Sequence, residues 1–457
     1  MPASPATVAA ELNPLSKAKM YIITHDRNAL ADLSVELASE HDTRYRRLND
    51  RWEVLEKQHQ ELERILSVAL VSSPYYRRVA AQKDLSPRHG LAAFQGLPLL
   101  RRSLYSANLE EIRVAARHLC YRDLTSGTSG SPIEVFRDSR SLFLESRRFA
   151  DILKYYLGDI AGRGSGRLTV LYVSHYLTSS EHVYQDPVLG ACILKLRCDR
   201  TNVCDRAKSL GFKLQPGSYV LTGTVSSLLH LATCETARLG LPLPAAVLPS
   251  GEDFHSSARR ILEETFRAPI FELYTLRECG TIAFQCRRGK GLHIQADWFL
   301  VEVLDCQERS VPDGGTGELV VTDLTNYHVP LLRYTTGDFG AVQWARCVCG
   351  LSLPVLSGLS GRTPVHFVAA EGRLVDTAVF AKRLERLPIL WYRVTQDPNG
   401  DVIMEYCAPV EDLSDGFGDI CQSLKDTLEL ARPVTVKSVT LEEAVQRGKT
   451  GGFISRL

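Results

Sequence analysis

Three groups of residues in this 457-residue chain have the types and spacing to do chemistry. The first is a run of hydroxyls and glycines, Thr125, Ser126, Gly127, Thr128, Ser129, Gly130 and Ser131, closed by Pro132. Glycines let a backbone turn and approach a ligand closely, so that amide N–H groups and hydroxyls converge on an anion. The Gly-Lys-Ser/Thr ending of a Walker A loop is missing, and the same composition also serves a plain surface turn. The second group is acidic. "SGEDF" (250–254), "LYTLRECG" (273–280) and "LLRYTTGDFG" (331–340) carry Glu252, Glu278 and Asp338 beside apolar runs. Strand ends in an α/β sheet are where ligand groups gather. "GRTPV" (361–365) and the late "QRGKTGGFISRL", with Lys449, complete the set. The third group is Cys286, His293, Cys347 and Cys349. Three thiolates and an imidazole suit a closed, tetrahedral, structural Zn²⁺, although Cys-x-Cys is tighter than the usual ligand gap. The alternative is four unrelated buried residues.

Such residues need elements to hold them. Residues 27 to about 70 read as helical, with Trp52, Leu55, His59, Leu62, Ile65, Leu66 and Ala69 at three- and four-residue steps. Pro74 breaks that pattern. "RLTVLYVS" (167–174), "SYVLTG" (218–223), "PAAVLPSG" (244–251) and "PIFELYT" (269–275) read as strands. Helical stretches lie between them, "VSSLLHLATCETARLG" up to Gly240 and "HSSARRILEETFR". Strand and helix alternate, which makes an α/β sheet the expectation. "WFLVEVLD" and "GELVVTDLT" then follow closely and suggest antiparallel β structure. After Gly361 a smaller unit is expected, with a Pro-Asn-Gly hairpin, a helix at about 414–430 and a strand at 433–440.

Bulk properties narrow the classes. The net charge of +1 makes no global electrostatic case for nucleic acid or an acidic partner. No apolar run reaches membrane-spanning length, and the first residues lack a basic region followed by an apolar one, so no secretory signal is expected. Twelve cysteines without such a signal suggest a reducing cytoplasm, where spaced cysteines serve as metal ligands or core residues.

In order and spacing these stretches resemble the adenylate-forming superfamily, most closely its phenylacetate–CoA ligase-like branch, over roughly residues 70–457. The resemblance implies an α/β fold. A large N-terminal domain would combine mixed sheets and helices with a β-rich subdomain, followed by a small mobile α+β C-terminal domain. The corresponding divisions are 1–115 (tail and helical region), 116–361 (adenylate-forming core with a zinc insert) and 362–457 (lid). It implies an AMP-forming ligase that adenylates an acid, aromatic or arylalkenoic, and passes the acyl group to CoA or an amine. Thr125 to Gly130 would close over the ATP phosphates. Ser250, Gly251 and Glu252 would lie beside the adenine, with Tyr274 against the ring and Thr275 in the same segment. Glu278 would hold Mg²⁺, because a carboxylate suits a hard cation bridging phosphate oxygens. Asp338 would accept from both ribose hydroxyls. Arg362 follows the hinge glycine, and Lys449 would bridge carboxylate and α-phosphate during adenylation. Phe143, Tyr172, His175 and Tyr176 would line the acid pocket. Related enzymes are often dimers, and the helical N-terminal region offers an apolar face for pairing.

The chain also departs from that pattern. Ser131 replaces a frequent lysine, and Thr275 replaces glycine. Arg277 replaces the Thr/Ser whose hydroxyl contacts the α-phosphate; it either takes over that contact or points away. "GRTPV" lacks both acids of the usual Gly-Arg-x-Asp-Asp hinge, and Pro364 fixes φ. "EGRLV" (371–375) resembles members found near polysaccharide and specialised-metabolite genes. Two other readings share these residues: activation of nitrite for diazotisation of an arylamine, and a catalytically degenerate nucleotide- or acyl-adenylate-binding protein.

Overall fold

The computed structural model describes residues 48–114, 120–124, 133–158, 168–174, 181–186, 189–198, 202–289 and 291–360. Towards the C-terminus it describes 366–369, 372–377, 380, 383–384, 387, 389–408, 414–440, 443–444 and 452–455. Helices α1 (Arg51–Ser72), α2 (Pro74–Lys83), α3 (Leu91–Gly96) and α4 (Arg102–Ile112) come first. The hairpin β1 (Cys120–Leu124) and β2 (Glu134–Asp138) leads into α5 (Ser139–Leu157). Next come β3 (Thr169–Ser174), β4 (His182–Asp186), β5 (Ala191–Arg197), α6 (Val203–Ser209), β6 (Tyr219–Thr224), α7 (Val225–Thr233), α8 (Glu235–Arg238), β7 (Ala246–Ser250) and α9 (Ser256–Phe266). A β-rich run follows: β8 (Leu273–Leu276), β9 (Gly280–Gln285), β10 (Leu292–Ile294), β11 (Phe299–Leu304), β12 (Thr316–Asp323), β13 (Tyr334–Gln343) and β14 (Val355–Ser360). The last part holds β15 (His366–Val368), β16 (Leu374–Asp376), β17 (Trp391–Gln396), β18 (Val402–Cys407), α10 (Ser414–Leu428), β19 (Thr435–Ser438) and β20 (Phe453–Ser455). The chain folds as two compact units, each assembled from separate segments.

The first unit comprises residues up to Leu168, His182–Ile193 and Leu273–Arg362. Its strands run in the order β11-β12-β13-β14-β10-β9-β8, and every pairing among them is antiparallel. The antiparallel character expected for 298–325 is thus present. Helix α1 begins where the Asp50 carboxylate accepts the amides of Trp52 (2.8 Å) and Glu53 (3.4 Å), a standard N-cap. Residues 27–47 of the expected helical stretch lie outside the described residues, and residues 48–50 ahead of α1 are not helical. Leu62, Ile65, Leu66 and Ala69 are buried as the spacing predicts, but Trp52 is 78% exposed and lies outside the stripe. Ser73 then caps α2, with Pro74 at its first position. These helices pack on Leu319, Val321, Leu331 and Leu356 of the β-rich run in one apolar cluster. Burial of each such side chain stabilises by about 1.5–3 kcal/mol before chain entropy is set against it.

The second unit comprises Thr169–Glu181, Leu194–Glu272 and Thr363–Leu457. Strands β3, β6 and β7 are parallel, in register Leu171 to Leu221 and Leu221 to Val247. They read as continuous apolar runs because a parallel sheet is covered on both faces. Gly223 in β6 allows a close approach, since a Cβ there would lie 2.7 Å from the Val173 carbonyl oxygen. The single helix expected over 225–240 is two, α7 and α8, broken at Cys234, whose ψ of 97° is extended. Further on, β17 and β18 form the expected hairpin, with Asp397 accepting the amides of Asn399 and Asp401 in its turn. Strands β19 and β20 add in parallel to β18 and β17, and α10 packs Phe417, Ile420 and Leu424 against Tyr392, Val394 and Met404. No helix among the described residues is long and apolar enough to cross a membrane.

Candidate active site and metal centre

Strands β8 and β9 form an antiparallel hairpin, so Arg277, Glu278 and Cys279 make its turn rather than the start of a helix. Gly280 closes that turn at a φ of 82°, where a side chain is strained, and a Cβ there would lie 3.1 Å from the Glu145 carboxylate. Glu278 is not a solvated surface acid. It is 5% exposed, accepts the Tyr334 hydroxyl at 2.9 Å and lies 3.6 Å from the Arg102 guanidinium. Asp338 is not a turn residue either; it lies within β13 and is partly buried. It accepts the Tyr274 hydroxyl at 2.8 Å. The two segments therefore hold each other. Tyr274 and Glu278 stand on the hairpin, Tyr334 and Asp338 on β13, and each tyrosine donates to the other segment's carboxylate. Burial, then the neighbouring carboxylate, pushes both phenols well up, so both remain donors.

The backbone around Glu278 is fixed by two buried arginines. Arg137 of β2 donates to the Arg277 carbonyl and pairs with Glu145. Arg148 of α5 donates to the Cys279 carbonyl at 3.3 Å and to the Thr325 hydroxyl at 3.3 Å, with its guanidinium over the Phe299 ring. Burial, then Asp323 and Glu278, pushes the Cys279 thiol well up, so it is no nucleophile. Arg277 turns its own side chain to Asp123 of β1, Nε to Oδ2 2.9 Å. Thr275 lies half-buried in β8.

In the second unit, Ser250 ends β7 and Gly251 follows at a φ of 74°. Glu252 accepts both the amide (2.6 Å) and the hydroxyl (2.8 Å) of Ser226, in the first turn of α7. That places a carboxylate at the positive end of the helix. Tyr172 is half-buried on β3 with the Lys195 ammonium 5.5 Å from its ring centroid. Phe143, in the first unit, is buried in the large apolar cluster. Thr125 to Gly130, Ser131, His175, Tyr176, Arg362 and Lys449 lie outside the described residues, as does the stretch 361–365.

The metal-like set does converge. Cys286 follows β9, His293 is on β10, and Cys347 and Cys349 lie between β13 and β14; their ligand atoms all lie within 4.8 Å of one another. The Cys286 and Cys347 sulfurs are 3.5 Å apart, and the Cys349 sulfur is 3.2 Å from His293 Nε2. The sulfur separation is far beyond the ~2.05 Å of a disulfide. It is close to the ~3.8 Å edge of a tetrahedron with Zn–S bonds of ~2.3 Å. Burial pushes His293 down to about 4, against the Leu353 backbone, so the ring is neutral and keeps a lone pair for a metal. Burial raises the Cys286 thiol, but the Arg288 amide and then Cys347, Tyr155 and Cys349 outweigh it and bring it down. Burial pushes Cys347 up to about 11, with the Cys349 backbone opposing and the neighbouring Cys349 and Cys286 sulfurs adding to the rise. These four residues fit Zn²⁺. Of the other cysteines, Cys198, Cys204, Cys279 and Cys407 are buried as core filling predicts, whereas Cys306 is exposed.

Sequence reasoning missed Tyr334, Arg102, Arg137, Arg148 and Asp123. Tyr334 had a signal: it precedes Asp338 by the same four residues that separate Tyr274 from Glu278. The others had none, because partners far apart in the chain leave no local pattern.

No family model matches the chain. It is similar to a phenylacetate–coenzyme A ligase of Thermus thermophilus, 26% identical over 328 residues, covering 67% of this chain and 69% of that one. A phenylacetate–coenzyme A ligase of Pseudomonas putida is 24% identical over 336 residues, covering 69% and 73%. Among solved structures, 2-hydroxyisobutyryl-CoA ligase in the postadenylation state with R3-HIB-AMP aligns at a TM-score of 0.65 and 16% identity. The alignment covers 87% of this chain and 88% of that one, a likeness of fold.

Proposed function

Since the chain belongs to the adenylate-forming superfamily, we propose that it is an AMP-forming ligase that activates an aromatic or arylalkenoic acid and transfers it to CoA. The observation that carries this is the reciprocal pairing of Tyr274 with Asp338 and Tyr334 with Glu278. It fixes two carboxylates, one suited to a hard cation and one to a diol, on segments whose residues match the superfamily's nucleotide site. The substrate acid's oxygen attacks the ATP α-phosphorus as the bond to pyrophosphate breaks. A thiol then attacks the acyl carbon and AMP leaves. Glu278 would hold Mg²⁺, which supplies charge neutralisation on the phosphates. Asp338 fixes the ribose, and Lys449 offsets charge developing between carboxylate and α-phosphate. The side chains thus act by positioning and electrostatics, with no covalent enzyme intermediate. The three thiolates and imidazole would hold a structural Zn²⁺, pinning β9, β10 and the β13–β14 connection.

ATP–pyrophosphate exchange over aryl, arylalkenoic, fatty and amino acids tests this, with nitrite in the panel and CoA or an amine added afterwards. Exchange with an aryl or arylalkenoic acid and AMP release on adding CoA are expected. Lys449→Ala should lower exchange by about 10²–10³-fold. Exchange only with nitrite would replace the acid, amide formation with an amine and no thioester with CoA would replace the acceptor, and a protein that binds MgATP yet exchanges with nothing would be the degenerate binder.

A further inference from the structure

Arg277 stands where a hydroxyl is expected to meet the α-phosphate, yet its guanidinium is paired with Asp123 at 2.9 Å. Asp123 is next to the last residue of β1, opposite Val135 of β2, and the two strands bracket residues 125–133. The other strand of that hairpin is held to the same turn: Arg137 of β2 donates to the Arg277 carbonyl. A second connection leaves the hairpin base at Glu134, whose carbonyl accepts the Tyr105 hydroxyl at 3.0 Å. The Tyr105 ring packs edge-on against Tyr334, centroids 5.9 Å apart, and Tyr334 donates to Glu278. Both strands of the hairpin are therefore tied to the turn that carries Glu278.

We propose that Arg277 is a positioning residue. Its pair with Asp123 latches the β1–β2 hairpin to the Glu278 turn, so that the cation-holding carboxylate keeps one place against that hairpin. Arg277 does not itself contact the α-phosphate. This rests on the ligase reading above. The pair is partly solvated, so its loss should leave the fold intact and weaken only what depends on where Glu278 stands.

Binding of MgATP and, separately, of AMP to the full chain is measured by calorimetry for Arg277→Ala, Asp123→Ala, the double variant and the swap Arg277→Asp with Asp123→Arg. Each single variant should bind MgATP about three- to tenfold more weakly, the double variant no worse than either, and the swap should regain part of the loss. AMP affinity and the melting temperature should not move. A direct phosphate contact gives another pattern: Arg277→Ala weakens AMP as well, and Asp123→Ala does not reproduce it. That pattern, additive losses, or no loss from either single variant would overturn the latch and leave the ligase reading standing. A wild-type chain that binds no MgATP would remove both.

Discussion

Glu278 and Asp338 carry the same charge in different settings. Glu278 is nearly sealed, with a phenol and a guanidinium beside it, whereas Asp338 is more open and has a phenol on one oxygen. A buried carboxylate with few donors has strong reason to recruit a cation. Glu278→Gln keeps the shape and removes the charge, and should lower adenylation by about 10²-fold with a raised Mg²⁺ requirement. Tyr334→Phe removes one donor to a charged acceptor and should cost roughly tenfold. Steady-state exchange against Mg²⁺ concentration checks both; an unchanged Mg²⁺ requirement in Glu278→Gln would remove the carboxylate from the cation site. Glu272, just before β8, tests the same physics without catalysis. Burial pushes its carboxyl up from 4.5 to about 7, with Arg259 opposing and Asp253 adding to the rise. The fold favours the protonated form. That contribution is complete below the unfolded value of 4.5 and is lost as pH rises through about 7. Glu272→Gln should therefore gain about 2–3 kcal/mol over wild type near pH 8.5 and little near pH 5, by urea unfolding at both. An equal gain at both would mean packing, not ionisation, sets the difference.

At the scale of elements, legibility followed locality. Strands β3, β6, β7, β11 and β12 and the β17–β18 hairpin were readable because their apolar runs and turn residues are contiguous. Helix α1 was readable in its buried stripe but not at its start, which a single Asp50 side chain decides. The β8–β9 hairpin was not readable as a hairpin. "LYTLRECG" has strand propensity followed by charged residues, and only long-range partners, Arg137 and Arg148, show why a turn forms there. The four metal-like residues were readable in type but not in their convergence, which needs β9 and β10 side by side and the β13–β14 connection folded back over them. Zinc binding there should act as a staple. Purified protein should carry close to one zinc per chain, and Cys347→Ser or strong chelation should lower the melting temperature by roughly 5–10 °C. A chain without zinc and with an unmoved melting temperature would leave four neighbouring side chains and no centre. The whole length of β9, roughly 20 Å at ~3.3 Å per residue, separates Cys286 from the Glu278 turn, so MgATP affinity per folded molecule should hold.

For the whole molecule, the resemblance was legible from the order of several short stretches, while the acid and its acceptor were not, since a pocket is lined by dispersed side chains. Those stretches come from separate parts of the chain. The first unit is built from residues up to 168, then 182–193, then 273–362. Gln58 of α1 finds its acceptors, the carbonyls of Ala296 and Phe299, 238 and 241 residues away. Glu278 meets Tyr334 only across 56 residues. Loops that long must close before their contacts stabilise anything. During synthesis, then, the helices at the start of the described chain wait with their apolar stripe uncovered until the ribosome has released most of the polypeptide. The nascent chain is exposed for that whole interval, and a ribosome that stalls before β13 leaves a fragment with neither a finished core nor the Tyr334 and Asp338 that complete the pairing.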